Sequence, residues 1–125
     1  MTVARRHTGQ IAEDLVAARL TKAGWKILAR NARSRYGEID IVALDGRALV
    51  FLEVKAARLG SQAGPERPVL SVGHRKQRQV RRLSVAWMAE RRNLPHFDEI
   101  RFDAVGVTLG RDDRPLEVEH IRGAF

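Results

Sequence analysis

The 125-residue sequence contains no cysteine, which excludes disulfides and thiolate metal sites and suits a reducing compartment. Aromatic residues are scarce, at 6%. Trp25 and Trp87 both fall in periodic apolar patterns, so they read as core residues rather than base-stacking platforms. No unbroken apolar run is longer than ALVFL (residues 48–52), too short to cross a bilayer, and the opening MTVARRHTGQIAEDL carries no apolar signal core. These absences point to a soluble, cytoplasmic chain with no membrane association. His7, His74, His96 and His120 lack the spacing of metal ligands and are expected on the surface or in loops.

Negative charge is also in short supply. Against 15 Asp and Glu stand 23 Lys and Arg, a formal net of +8 with a sequence pI near 11.1. Such a balance favours a polyanionic partner, and the lack of a basic amphipathic face with bulky apolar anchors favours nucleic acid over a lipid surface. With 44% apolar and 30% charged residues, the chain has the composition of one folded domain spanning residues 1–125.

Apolar periodicity sets the expected element order. Ile11, Ala12, Leu15, Val16, Leu20 and Ala23 recur with helical spacing over residues 8–23, and Gly24 supplies a stop. Residues 25–30 alternate like a strand, and NARSRYG (31–37) reads as a polar, basic connection. Two apolar runs then flank Asp45-Gly46 as strand, turn, strand. Residues 56–73 show little periodicity, residues 74–92 read as a second helix with a basic outer face, and strands are expected over 99–109 and near the end. The order α, β, β, β, α, β, β predicts an α/β fold with a mixed sheet flanked by helices.

The hairpin GEIDIVALDGRALVFLEVK (37–55) poses the chemical question. Glu38, Asp40, Glu53 and Lys55 interrupt runs that otherwise look like the centre of a sheet, and burying charge there is costly unless it is paired or binds a metal. If Asp45-Gly46 is a two-residue turn, Leu44 pairs with Arg47, Asp40 lies opposite Phe51 and Glu38 opposite Glu53. All four charged side chains then share one face. Two carboxylates suit magnesium or manganese, with Asp40 and Glu53 as ligands and the Val54 carbonyl as a third, while Lys55 can donate to charge developing on a phosphate. The same residues also fit an ordinary salt-bridged hairpin on a solvated face. A Glu-x-Lys triplet alone carries little information.

The motifs GQIAEDLVAARL, ILARN, GEIDIVA, LVFLEVK and RFDAV, in that order and spacing, resemble the YraN-like bacterial family, uncharacterised in function. That family is similar to the restriction-endonuclease-like superfamily, which includes archaeal Holliday-junction resolvases. The resemblance runs from Gly9 to Phe125. It implies a restriction-endonuclease-like core in which Asp40 is the first metal-binding acid, Glu53 the second, Lys55 the catalytic lysine and Glu13 an acid from the first helix. Where that superfamily often has proline before the first acid, this chain has Ile39. Glu38 has no general counterpart there; it could orient the site, act as an alternative ligand or be a surface charge, and the first is preferred. Asp103 is expected to pair with an arginine.

Basic segments flank these acids, and phosphate contacts are expected from some of Arg33, Arg35, Arg58, Arg75 and Lys76. The favoured reading is a magnesium- or manganese-dependent endonuclease acting on DNA, branched or damaged DNA included. A homodimer would be needed to cut two strands symmetrically. The rival is a noncatalytic nucleic-acid-binding module with a nuclease-like fold.

Overall fold

A computed structural model describes residues 3–60 and 67–125, with side chains from residue 7 onward in the first helix. The elements are α1 (Val3–Lys22), β1 (Lys26–Ser34), β2 (Gly37–Asp45), β3 (Ala48–Arg58), a 3-10 turn (Pro68–Ser71), α2 (His74–Ala89), β4 (Glu99–Leu109) and β5 (Pro115–Ile121). The five strands lie in the order β1-β2-β3-β4-β5. Only β3 and β4 run parallel, because the connection between them crosses one face of the sheet through α2. The mixed sheet flanked by helices is the α/β architecture expected from the sequence.

Each helix covers one face. On α1, Ala12, Val16, Ala17 and Leu20 form a buried stripe that packs with Ile41, Val50, Leu52, Val105 and Val107. On α2, Val80, Leu83 and Trp87 pack with Ile39, Val42, Leu49, Phe51 and Phe102. Both tryptophans are buried, as their periodic settings imply. Helix α1 stops where glycine allows it. Gly24 takes φ of 94°, and the Trp25 amide donates back to the Leu20 carbonyl at 2.9 Å, closing the last turn.

Several boundaries differ from the sequence reading. The polar segment 31–37 is not a free connection: β1 continues to Ser34 and turns through Arg35-Tyr36 into β2. As the outermost strand of the sheet it needs no apolar residues on both faces, which is why its pattern resembles a loop. The β2–β3 turn is Gly46-Arg47, with Asp45 opposite Ala48 rather than Leu44 opposite Arg47. Within the stretch read as irregular, β3 runs on to Arg58 and a 3-10 turn occupies Pro68–Ser71, while residues 61–66 lie outside the described part.

A polar network holds the far end of the sheet. Asp103 is fully buried on β4 and grips Arg101, whose Nε and Nη2 donate to its two oxygens at 2.9 and 3.1 Å. His120 contacts it at 2.8 Å and the Gly123 amide donates at 3.0 Å. Burial alone would raise this acid's pKa, but the bonds from His120, Arg101 and Gly123 outweigh it and hold the carboxyl below its ordinary range. The arginine pairing expected for Asp103 is therefore present. His120 is not the ordinary surface histidine that its sequence setting suggested, since it packs against Trp25 and completes this network. Asp103→Asn removes the charge and turns an amide toward these donors, so it should destabilise the fold by about 3–5 kcal/mol in denaturant titration. A loss under about 1 kcal/mol would contradict this reading of the network.

Candidate metal and nucleic-acid site

Strands β2 and β3 pair from the turn as far as Ile41 opposite Leu52, and the described ladder ends there. One step further, the observed register sets Asp40 beside Glu53, closer than the arrangement expected from sequence. Asp40 Oδ2 accepts a hydrogen bond from the Val54 amide at 2.8 Å, so its side chain spans the gap where the ladder stops.

The alternation of β2 also resets at Asp40. Ile41 packs on the α1 side, yet both Ile39 and Val42 pack on the α2 side, whereas an unbroken strand would send residues three apart to opposite faces. On β1, Asn31 falls between the pairs Arg30–Ile41 and Ala32–Ile39, and it adopts φ of 50°. That left-handed residue, tolerated best by asparagine among non-glycines, bends the ladder at this point. Glu38 therefore does not simply share a face with Asp40. It bonds Arg33 at 3.1 Å and lies within electrostatic reach of Glu13.

Glu53 is the least solvated acid of the group, 2% exposed. Its Oε2 is buried without an aligned hydrogen-bond donor, although Lys76 Nζ from α2 stands 3.1 Å away as an ion-pair partner. Burial raises its pKa to about 8, helped by the Asp40 carboxylate as hydrogen-bond partner and as like charge, while Lys76 opposes the rise. Glu13 reaches toward the same place from the buried face of α1. Its pKa is also raised, first by burial and then by Asp40, against the pull of Arg30. Arg30 Nη2 donates to Glu13 at 3.3 Å and also holds Asp14.

Helix α1, β2, β3 and α2 thus bring Glu13, Asp40, Glu53 and Lys76 toward one another, with the Val54 backbone at the centre. Lys55 is half-buried on β3, two residues beyond Glu53 and so on the same face, and among the described residues it has no ion-pair partner. Lys76, expected at a phosphate, reaches the buried acid instead. Arg58 sits away from the acids: it bonds Thr8 and the Gly110 carbonyl and pairs with Asp113. Arg35 contacts Tyr36, and Arg75 is exposed near the start of α2. The roles of Arg30 and of Lys76 toward Glu53 have no sequence signal, because each depends on where a distant element docks.

The donor set suits a hard divalent cation. Asp40 has one oxygen not used by Val54, Glu53 has a buried oxygen lacking an aligned donor, and the Val54 carbonyl is adjacent in the chain. Among the described residues, no group of three or more His, Cys, Asp or Glu is arranged to hold a metal. Magnesium is ordinarily held by one or two carboxylates plus water and phosphate rather than by a full protein cage.

Fold and site together define an α/β protein with a mixed sheet and an acid pair, buried Glu53 beside half-buried Asp40, where β2 and β3 part. The chain belongs to the uncharacterised protein family UPF0102, whose model matches residues 12–107. It is 44% identical over 117 residues to a UPF0102 protein of Rhodococcus opacus (strain B4), covering 94% of each chain. A UPF0102 protein of Moorella thermoacetica is 42% identical over 125 residues, the full length of both. One from Parafrankia sp. (strain EAN1pec) is 47% identical, again over the full length of both.

The raised pKa of Glu53 has a consequence for stability. Between its ordinary value of 4.5 and about 8 the folded chain holds a proton that the unfolded chain has released. Stability from this group is therefore complete below that window and is lost as pH rises through it. Glu53→Gln keeps a neutral group of the same shape. In metal-free denaturant titrations from about pH 4.5 to about pH 9, the native protein should lose on the order of a few kcal/mol more than this variant. Equal losses would show that Glu53 ionises as it does in water.

Proposed function

We propose that this chain is a divalent-metal-dependent endonuclease that hydrolyses phosphodiester bonds in nucleic acid, DNA above RNA, with branched or damaged DNA as the expected substrate. The observation that carries the proposal is the convergence of Asp40 with a Glu53 kept out of water. A structural salt bridge gains little from burying one acid beside a second, whereas a cation site uses them both. The resemblance of GEIDIVA and LVFLEVK to the restriction-endonuclease-like superfamily supports the same reading.

Asp40, Glu53 and the Val54 carbonyl are the residues that would hold magnesium or manganese. When bound, the ion supplies Lewis acidity at the scissile phosphate and neutralises its charge. Lys55, on the Glu53 face and without an ion-pair partner among the described residues, donates to a phosphate oxygen as negative charge develops. Arg30, bonded to Glu13, limits how far that carboxyl's charge reaches into the site. Lys76 keeps Glu53 in place before substrate arrives. A homodimer would place two such sites on opposed strands, and the reaction belongs in the cytoplasm with the rest of DNA processing.

The test uses purified protein and labelled single-stranded, duplex and branched DNA. Cutting of one of these with magnesium or manganese, and none with chelator, is expected. Asp40→Ala and Glu53→Ala should each abolish it with the fold intact, and Lys55→Ala should slow it by about 100-fold or more. Undiminished cutting in both acid variants would overturn the mechanism. Salt-sensitive binding that needs no metal and leads to no hydrolysis would instead establish the noncatalytic module.

A further inference from the structure

Away from the acid pair, the β1–β2 turn and the outer face of α2 enclose an open cleft of about 760 Å³, within the size range of ligand sites. Its walls include Arg35, Tyr36, Arg82, Val85 and Ala86, with Glu90 as its one acid. Tyr36 is the chain's single tyrosine and is 36% exposed. The Arg35 guanidinium lies 4.8 Å from its ring centre and bonds its hydroxyl, and the Arg82 guanidinium lies 5.6 Å from the same ring. Val85 is 65% exposed beside them. An aromatic ring, two guanidinium groups and an uncovered apolar wall on one surface are the parts that bind a flat, negatively charged partner.

The turn is built to stay in place. Gln79 of α2 donates to the Tyr36 carbonyl at 2.7 Å, and the Tyr36 amide donates to Ser34 Oγ at 3.1 Å. Gly37 follows with φ of 132°, a conformation that any side chain would strain, and a Cβ there would come within 2.6 Å of Gln79 Nε2. A basic stripe leads from the cleft along α2. Arg75, Arg78 and Arg82 recur at helical spacing along α2, all exposed and without ion-pair partners among the described residues. Lys76, the partner of Glu53, lies next to the start of that stripe.

We propose that this cleft takes an unpaired base of a nucleic acid strand, stacked on Tyr36, with the adjoining phosphates on Arg82 and the α2 stripe. The inference rests on the nuclease reading for its partner and deepens it: the substrate class is nucleic acid with unstacked bases, as at a single-stranded arm or branch point. Arg35 is fastened to the Tyr36 hydroxyl and stays with the ring. Arg82, the more distant of the two, gives up its place over the ring to the base and turns to phosphate. An acidic peptide would satisfy the arginines but leave the ring face and Val85 without a flat partner.

Fluorescence anisotropy in chelator, where nothing is cut, tests this with a labelled thymidine homopolymer, a blunt duplex and a duplex bearing a single-stranded arm. Tyr36→Ala should bind the homopolymer and the armed duplex about 5- to 100-fold more weakly, while blunt-duplex binding changes less than about twofold. Tyr36→Phe, which keeps the ring, should stay close to the native protein. Arg82→Ala should weaken binding to all three and lower the salt slope by about one. Native-like homopolymer binding by Tyr36→Ala, an equal loss on blunt duplex, or no oligonucleotide binding by the native chain would each overturn the proposal. The two readings fail separately: cutting that survives with no Tyr36 effect on binding removes the cleft alone. A Tyr36-dependent binding with no cutting in metal removes the hydrolysis alone.

Discussion

A carboxyl group buried beside another carboxyl group is the constraint around which the centre of this molecule is organised. Glu53 is almost without solvent, and the nearest acid, Asp40, raises its pKa further. Leaving both ionised with nothing between them would cost several kcal/mol. The fold meets that cost in three ways. Glu53 holds its proton, Lys76 is brought in from α2 at 3.1 Å, and one oxygen of Asp40 is turned onto the Val54 amide. A divalent cation would replace the first of these with a stronger interaction, and that difference is what separates a site from a salt bridge.

The sheet explains why the acids meet at this position. β3 is the central strand, paired with β2 on one side and with parallel β4 on the other, and it carries Glu53, Val54 and Lys55 consecutively. The described β2–β3 ladder ends beyond Ile41–Leu52, which opens a gap that the Asp40 side chain fills. A helix packs on each face, so Glu13 arrives from one and Lys76 from the other. On the α2 side, the exposed arginines of the helix lead toward Tyr36. The polar network on Asp103 is a different device. Its acid is ionised and saturated with donors, so it fastens strands together and has no oxygen left for chemistry.

Much of the fold was legible in the sequence because its signals are local. The stripe Ala12, Val16, Leu20 has one helical period, and the runs IVAL and ALVFL have the density of strands with both faces covered. Arg33 and Arg35 read as loop because they belong to an edge strand and its turn, where polar side chains are tolerated. The acid pair was legible in kind but not in detail. Asp40 and Glu53 stand out as charge within apolar strands, yet the turn was displaced by one residue, and the alternation of β2 resets at Asp40, beside Asn31's left-handed backbone. The pairing of Lys76 with Glu53 and the setting of Tyr36 were out of reach for a plainer reason. Their significance depends on how α2 lies across the sheet, and no local pattern encodes that docking.

Calorimetric titration of manganese into the metal-free native chain and into Asp40→Asn bears most directly on the acid pair. One ion per chain is expected for the native protein, with a proton released near neutral pH as Glu53 ionises, and no saturable binding is expected for the variant. Absence of binding by the native chain, or an unchanged isotherm for Asp40→Asn, would contradict a cation site at Asp40 and Glu53.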